Sequence, residues 1–125
     1  MTSGNEDSEA AIRAWVEAYV AAWNSNEPEE IADLFAEEAT YKLEPWIEPW
    51  RGREQILAGW LEHRDEPGDT EFKWWPRARD GDLWILEAAT HYKSLGKDYC
   101  NLWLVRLDAE GRCTEFAEWW KQRPG

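Results

Sequence analysis

The sequence predicts an α+β domain, a cone-shaped unit in which three N-terminal helices pack on the concave face of a curved antiparallel or mixed sheet. Helical apolar periodicity is found in the first half of the chain. Alternation typical of strands runs from Thr70 to the end, and a hairpin signature closes the chain. This separation of helices from antiparallel strands is typical of the α+β class.

The first helix follows a short polar stretch. We expect residues 1–7 to be disordered and residues 8–125 to form a single domain, since the chain is long enough for one core. Asp7 or Ser8 can cap the helix. Its apolar residues recur at three- and four-residue steps as far as Trp23, which is the pattern of an amphipathic helix.

The next elements follow from their end signals and apolar spacing. Pro28 opens a second helix, and a third covers residues 53–64. Strands are expected over residues 70–79 and 83–93, because each run alternates and ends in a turn that contains glycine.

Two tryptophans lie in a loop between the second and third helices. A strand over residues 37–44 stops at Pro45, and residues 45–52 form the loop that contains Trp46 and Trp50. A loop has no core of its own, so we expect these indoles to cover something else, such as a ligand pocket.

The last predicted element is a hairpin over residues 99–121. Residues 108–111 form its turn, and Gly111 supplies the positive φ that a type I turn with a bulge requires. We expect Leu107 to face Arg112. This register gives the following pairs: Trp103 with Phe116, Asn101 with Glu118, and Tyr99 with Trp120.

Both faces of this hairpin are largely apolar. The face turned to the helices carries Tyr99, Asn101, Trp103, Val105, Thr114, Phe116, Glu118 and Trp120. The opposite face carries Cys100, Leu102, Leu104, Ala117 and Trp119. A sheet covered on one side alone would not need the second apolar face, so we expect a homodimer through the outer sheet face.

The charge of the chain excludes some classes of partner. The net charge is −12, and the first 50 residues hold 12 acids against two bases. Such a surface repels phosphate groups, so we expect neither nucleic acid nor a membrane as a partner. No apolar run is long enough to span a membrane, and the acidic start is unlike a secretory signal, which predicts a cytoplasmic protein.

The sequence contains little that could hold a cofactor or a metal. Cys100 and Cys113 lie on paired strands but not opposite each other, so we expect reduced thiols. The two histidines, His63 and His91, form no cluster with cysteines at zinc spacing. A glycine-rich phosphate loop is also missing. We therefore expect no cofactor and no metal.

Several segments resemble a known group of proteins. Residues 35–39 (FAEEA) and 51–56 (RGREQI) resemble the nuclear-transport-factor-2-like superfamily. Tyr99 and Asn101, followed by residues 105–108, 111–112 and 118–119, resemble its SnoaL-like group. The resemblance implies a ketosteroid-isomerase-like fold. It does not specify the reaction, because the superfamily includes isomerases, cyclases, dehydratases, epoxide hydrolases and non-catalytic binders.

The resemblance to ketosteroid isomerase implies two catalytic residues. Glu44, at the end of the first strand, would be the base, and Tyr19 on the first helix would donate a hydrogen bond to the oxyanion. A glutamate beside the apolar Trp46 could be desolvated, which would raise its pKa and make it a better base. The neutral aspartate of that family would fall at Trp103, and the late acid of SnoaL-like cyclases would fall at Lys121, so neither carboxyl group is present here.

Other candidates come from the residues themselves. Glu118 with Asn101 is either a satisfied polar cross-link or an acid/base with its orienting amide. His91 would be a proton carrier if its strand turned it into the pocket. Tyr19 and Glu44 also have structural interpretations, as a packed core tyrosine and a solvated strand end. The predicted ligand-binding residues are Trp46, Trp50, Tyr99, Asn101, Trp103, Phe116 and Trp120.

Together these patterns predict a small-molecule pocket protein. The first hypothesis is a cofactor-independent isomerase or cyclase that acts on a hydrophobic or polycyclic substrate by carboxylate acid/base catalysis. The alternative is a non-catalytic module of the same fold that binds or senses a hydrophobic ligand.

Overall fold

A computed structural model describes residues 3–44 and 46–124. Three helices pack against a six-stranded, mixed, curved and unclosed sheet, which confirms the predicted α+β class. The elements are α1 (Ser3–Ser25), α2 (Pro28–Asp33), β1 (Phe35–Lys42), β2 (Trp50–Arg51), α3 (Arg53–Glu62), β3 (Thr70–Asp80), β4 (Leu83–Tyr92), β5 (Lys97–Leu107) and β6 (Cys113–Gln122).

The strand order is β2-β1-β6-β5-β4-β3. β1 runs parallel to β6, and the other neighbouring strands run antiparallel. The four long strands β3 to β6 therefore form an antiparallel meander, and β1 extends the sheet at its β6 side. Near Pro76 the register of β3 shifts by one residue, which is the irregularity expected where a proline cannot donate to the ladder.

The helix α1 packs on the sheet through its predicted apolar stripe. Ile12, Trp15, Val16 and Tyr19 are all buried. The indole Nε1 of Trp15 donates to the backbone oxygen of Leu34 over 2.9 Å, which satisfies the one polar atom of that buried ring. Within the described residues, no helix is long and apolar enough to cross a membrane.

The start of α1 differs from the sequence prediction. The helix begins at Ser3, so the described part of the segment expected to be disordered is helical, and residues 1 and 2 lie outside the described residues. Asp7 and Ser8 then lie inside the helix rather than before its first turn. No cap at Asp7 or Ser8 is therefore required.

The predicted register of the final hairpin was wrong by two residues. Trp103 faces Glu118 rather than Phe116, and Asn101 faces Trp120 rather than Glu118. Because a shift of two residues keeps the same side-chain alternation, these residues stay on the faces that were predicted for them.

The turn and a bulge beside it each contribute one residue to this shift, because Leu107 pairs with Cys113 rather than with Arg112. Arg106 pairs with Glu115 and Leu107 pairs with Cys113, which leaves Thr114 as an extra residue in β6. The bulge also changes which side chain enters the core, since Cys113 is buried there in place of the predicted Thr114.

Aromatic rings form much of the core between α1 and the sheet. The ring of Tyr19 lies 4.7 Å from that of Trp103 and 5.6 Å from that of Phe116, measured between centroids. Trp103 and Phe116 are fully buried. Tyr19 and Trp103 also line a cavity, so they form the boundary between the packed core and the candidate site.

Candidate active site

A cavity of about 580 Å³ opens between the helices and the concave face of the sheet. This volume lies within the range of about 300–1,000 Å³ that is typical of small-molecule sites. Its wall contains the acids Glu44, Asp65 and Glu118. The aromatic residues of the wall are Trp23, Trp50, Trp60, Trp103, Trp120, Tyr19, Tyr41, Tyr92 and Tyr99.

The carboxyl group of Glu118 is held by two N–H donors. Asn101 Nδ2 and Trp103 Nε1 lie 2.9 Å and 2.8 Å from Glu118 Oε2. Thr90 Oγ1 donates to Asn101 Oδ1 over 2.8 Å, which orients the amide so that its N–H group points to Glu118. Both bonds to Glu118 end on Oε2. Oε1 has no hydrogen bond to the described residues and is not fully buried, since these residues leave no fully buried polar side-chain atom without a partner, and Glu118 lines the cavity.

Burial raises the pKa of Glu118 above its ordinary value of 4.5. The aromatic surroundings disfavour the charged form, and the charge of Asp65 acts in the same direction. The hydrogen bonds from Trp103 and Asn101 oppose this increase without cancelling it. Glu118 therefore keeps its proton to a higher pH than a surface glutamate, which suits a group that must both accept and return a proton.

Two buried tyrosines form a second polar feature of the wall. The hydroxyl oxygens of Tyr19 and Tyr41 lie 2.7 Å apart, and either can be the donor. Burial raises the pKa of both hydroxyls, and the nearby charge of Glu118 raises both further. Both tyrosines are therefore protonated at neutral pH. One of their two O–H groups is used within the pair, and the other can donate to a ligand.

The third polar feature is Asp65, which follows α3. Trp23 Nε1 and the Tyr92 hydroxyl donate to Asp65 Oδ2 over 2.8 Å and 3.3 Å. Asn26 Nδ2 also donates to the backbone oxygen of Asp65 over 3.1 Å. These bonds join the end of α3 to α1 and β4. Within the described part of the chain, no group of three or more histidine, cysteine, aspartate or glutamate side chains could hold a metal ion.

The indole of Trp50 is fixed in the wall by its packing. Its ring stacks on Tyr41 with 5.1 Å between centroids and on His63 with 6.1 Å. Gly59 of α3 makes this position available, because a Cβ atom there would lie 2.3 Å from the nearest atom of the Trp50 ring. The absence of a side chain at Gly59 thus lets the indole lie directly on the helix.

The sequence of the chain matches a known protein family. The family model described as a SnoaL-like domain matches residues 16–120, which is most of the chain. The chain belongs to the SnoaL-like family. A comparison with curated proteins gives no match.

This SnoaL-like chain also resembles solved structures. An NTF-2 like protein of unknown function from Burkholderia xenovorans is 19% identical, with a TM-score of 0.72 over 94% of this chain and 88% of that chain. A ketosteroid isomerase-like protein from Erwinia carotovora atroseptica is 17% identical, with a TM-score of 0.65 over 93% and 96%. An LEH-like epoxide hydrolase from M. tuberculosis is 18% identical, with a TM-score of 0.60 over 89% and 82%. These similarities confirm the predicted NTF-2-like fold.

The SnoaL-like domain brings most of the predicted site residues to one cavity. Asn101 and Glu118 form the predicted hydrogen bond, although Glu118 is the diagonal rather than the direct neighbour of Asn101. Glu44 lies in the wall and is partly exposed. The predicted residues that line the cavity are Tyr19, Glu44, Trp50, Tyr99, Asn101, Trp103, Glu118 and Trp120.

Three predicted site residues lie away from the cavity. His91 is on the outer face of the sheet, where its Nδ1 lies 2.8 Å from Asp98 Oδ1, because the alternation that turns Thr90 inward turns His91 outward. The side chain of Trp46 is 95% exposed, since its loop points into solvent. Phe116 is buried in the core, where it packs under the rings that line the cavity.

Six polar wall residues were not predicted from the sequence: Tyr41, His63, Arg64, Asp65, Thr90 and Tyr92. Tyr41, Thr90 and Tyr92 occupy inward positions of strands, so strand alternation could have found them. Asp65 directly follows the third predicted helix, which ends at residue 64. Its bond to Trp23 joins residues 42 positions apart, and no local pattern indicates such a contact.

Proposed function

We propose that this SnoaL-like domain is a cofactor-independent isomerase or cyclase that acts on a small hydrophobic or polycyclic molecule, with Glu118 as its acid/base. The observation that carries the proposal is the carboxyl group of Glu118. One of its oxygens is anchored by two N–H donors, the other has no hydrogen bond to the described residues, and the residue lines a cavity of about 580 Å³. The principal carboxyl group is therefore Glu118 rather than Glu44, to which the family resemblance pointed.

Proton transfer through Glu118 Oε1 accounts for the chemistry. The carboxylate accepts a proton from a carbon beside a carbonyl group of the bound molecule. The C–H bond breaks, its electron pair stays in the substrate as an enolate, and the same carboxyl group returns the proton to another carbon. The step consumes no oxidant or reductant. The pKa of Glu118, raised by burial, lies nearer to neutrality than that of a surface glutamate, which favours both directions of transfer.

The Tyr19–Tyr41 pair stabilises the charge that develops on the substrate oxygen. One hydroxyl proton is used in the 2.7 Å bond between the two tyrosines, and the other is available to the substrate. Since both hydroxyls keep their protons at neutral pH, they act as neutral donors from a buried part of the wall.

The reaction class is supported by one of the similar structures, which is named as a ketosteroid isomerase-like protein. We do not propose steroid isomerisation itself. Trp103 occupies the position where the resemblance to ketosteroid isomerase would require a neutral aspartate.

Deuterium uptake tests the proposal without knowledge of the product. A panel of cyclic ketones and enones is incubated with the protein in D2O, and exchange of the hydrogens beside the carbonyl is followed by proton NMR. The protein should accelerate exchange of at least one compound. Glu118→Gln should slow that exchange by about 100-fold or more while the compound still binds, because the amide oxygen can keep the bonds to Asn101 and Trp103.

Glu44→Gln is the matched control, since it removes a second carboxylate from the same wall. It should keep most of the exchange rate. Exchange that survives in Glu118→Gln would reject the proposed role of Glu118. Loss of the exchange rate in Glu44→Gln instead would support Glu44 as the base, which is the role that the resemblance implies.

A non-catalytic binding or sensing module is the second candidate. The chain of bonds from Thr90 through Asn101 to Glu118 is what a structural cross-link would also require. Such a module would bind the same compounds, with a change in tryptophan fluorescence, and would give no exchange even with the unmodified protein.

We also propose a homodimer that forms through the outer sheet face. Trp75, Glu87, Leu102 and Trp119 lie in one row across β3 to β6. The three apolar members of this row are 39%, 40% and 54% exposed. A second copy packed on the row would remove this apolar area from water, and a two-fold arrangement would satisfy both copies at once.

A cytoplasmic location is part of the same proposal. Cys100 and Cys113 are both free thiols, and Cys100 is exposed. An exposed thiol of this kind persists best in a reducing compartment. The net charge of −12 supports a small molecule and a second copy as partners rather than nucleic acid or an anionic membrane.

A further inference from the structure

We infer that the ligand of this cavity carries a cationic nitrogen, as an amine or a quaternary ammonium group, attached to its apolar body. The inference rests on the proposed binding function and names the class of its ligand. It follows from two features of the wall that a purely apolar ligand would not need: open carboxylate oxygens and a high density of aromatic rings.

The two carboxyl groups Asp65 and Glu118 are built alike. Each has one oxygen held by an indole N–H, from Trp23 for Asp65 and from Trp103 for Glu118, together with one further donor. Among the described residues, the second oxygen of each group has no protein partner, and no buried polar side-chain atom is left unpaired. Both groups line the cavity, so Asp65 Oδ1 and Glu118 Oε1 are positioned to meet a ligand.

The charges of the wall favour a cation over an anion. Glu44, Asp65 and Glu118 are acids, and Arg64 is the one guanidinium among the described residues of the wall, where its side chain is exposed. Asp65 raises the pKa of Glu118, so the two carboxylates repel each other when both are ionised. A cation bound near both groups would relieve that repulsion.

The aromatic rings favour the same charge. The wall holds five tryptophans and four tyrosines, and the carboxylates lie among them. The face of an aromatic ring attracts a cation, and quaternary ammonium groups are recognised by cages of tryptophan and tyrosine. The face of an aromatic ring repels an anion, and a neutral ligand would leave the carboxylates without a counter-charge.

A pair of isosteric compounds tests the inference on the unmodified protein. Benzyltrimethylammonium is compared with neopentylbenzene, in which a carbon replaces the nitrogen, by titration followed through tryptophan fluorescence. The cation should bind at least about tenfold more tightly. Equal or tighter binding of neopentylbenzene overturns the inference while leaving the proposed pocket in place. No binding of either compound overturns both.

A variant of Asp65 then assigns the counter-charge. Asp65→Asn keeps an oxygen for Trp23 and Tyr92 but removes the charge, so the cation should bind about tenfold more weakly and neopentylbenzene should change less than about twofold. Glu66→Gln removes a charge from the exposed neighbouring position and should alter neither affinity. A cation affinity that is unchanged in Asp65→Asn overturns the assignment. Thermal denaturation of each variant shows whether that variant is folded. The comparison of the two compounds on the unmodified protein does not depend on any variant.

Discussion

Trp103 Nε1 lies 2.8 Å from Glu118 Oε2, so a fully buried indole of the core also anchors the carboxyl group that we propose as the acid/base. The two residues face each other across β5 and β6. Packing and chemistry are therefore coupled, because a shift of the indole would release the carboxyl group.

Trp103→Phe should raise the pKa of Glu118 further, because it removes a hydrogen bond that favours the charged form. Carbon-13 NMR of the side-chain carboxyl group measures this pKa directly. The smaller ring should also lower the free energy of unfolding by about 1–3 kcal/mol. Trp84→Phe is the control, since Trp84 is buried and contacts Arg79 rather than Glu118, and it should destabilise the fold without moving the pKa. A pKa that is unchanged or lower in Trp103→Phe would contradict this coupling.

The pKa of Glu118, raised by burial, predicts a specific pH dependence of stability. Between the ordinary pKa of 4.5 and the higher folded value, the folded chain holds a proton that the unfolded chain has lost. The free energy of unfolding therefore falls as the pH rises through this window, by about 1.4 kcal/mol for each unit of pKa difference. Glu118→Gln lacks this titration. Urea denaturation between about pH 4 and pH 8 should show the variant gaining stability relative to the unmodified protein. Glu115→Gln, on the exposed face of the same strand, should show no such gain.

The elements of the fold could be predicted because their signals are local. Apolar spacing marks the helices, and alternation marks the four long strands and the two faces of the hairpin. The register was wrong because it depends on the turn. Asp108 Oδ1 accepts hydrogen bonds from the backbone N–H groups of Glu110 and Arg112, and the bulge at Thr114 follows directly after this turn. A bulge of this kind is not visible in a pattern of apolar and polar residues.

The site could be predicted where a single hairpin builds it. Asn101 and Glu118 belong to neighbouring strands, and their shared face follows from alternation. Asp65 was missed because its partner Trp23 lies on another element, 42 positions away. The face of His91 depends on the turn between β4 and β5, and the structure pairs it outward with Asp98.

Leu102→Lys should convert the proposed homodimer into a monomer, because it places a charge in the centre of the apolar row on the outer sheet face. Sedimentation equilibrium should give the mass of two chains for the unmodified protein and of one chain for the variant. Ala18→Lys adds the same charge to the exposed face of α1 and should remain dimeric. A monomeric mass for the unmodified protein would reject the dimer and leave the cavity proposals unaffected.

The Tyr19–Tyr41 pair should show strong non-additivity. Each hydroxyl is buried and bonded to the other over 2.7 Å, so Tyr19→Phe or Tyr41→Phe alone leaves one hydroxyl without its partner at a cost of about 1–3 kcal/mol. The double variant leaves no hydroxyl without its partner, because both hydroxyls are removed. Its loss of unfolding free energy should therefore be smaller than the sum of the two single losses, by an interaction energy of about 0.5–3 kcal/mol.

Tyr19→Phe combined with Tyr99→Phe provides the control cycle, since Tyr99 lines the cavity and its ring contacts are with Tyr92 and Trp120. These two changes should add within about 0.5 kcal/mol in urea denaturation. Additive losses for Tyr19 and Tyr41 would mean that the hydroxyls do not depend on each other. In that case neither would be held as a donor for a substrate oxygen, and the proposed stabilisation of the enolate would have to come from another group of the wall.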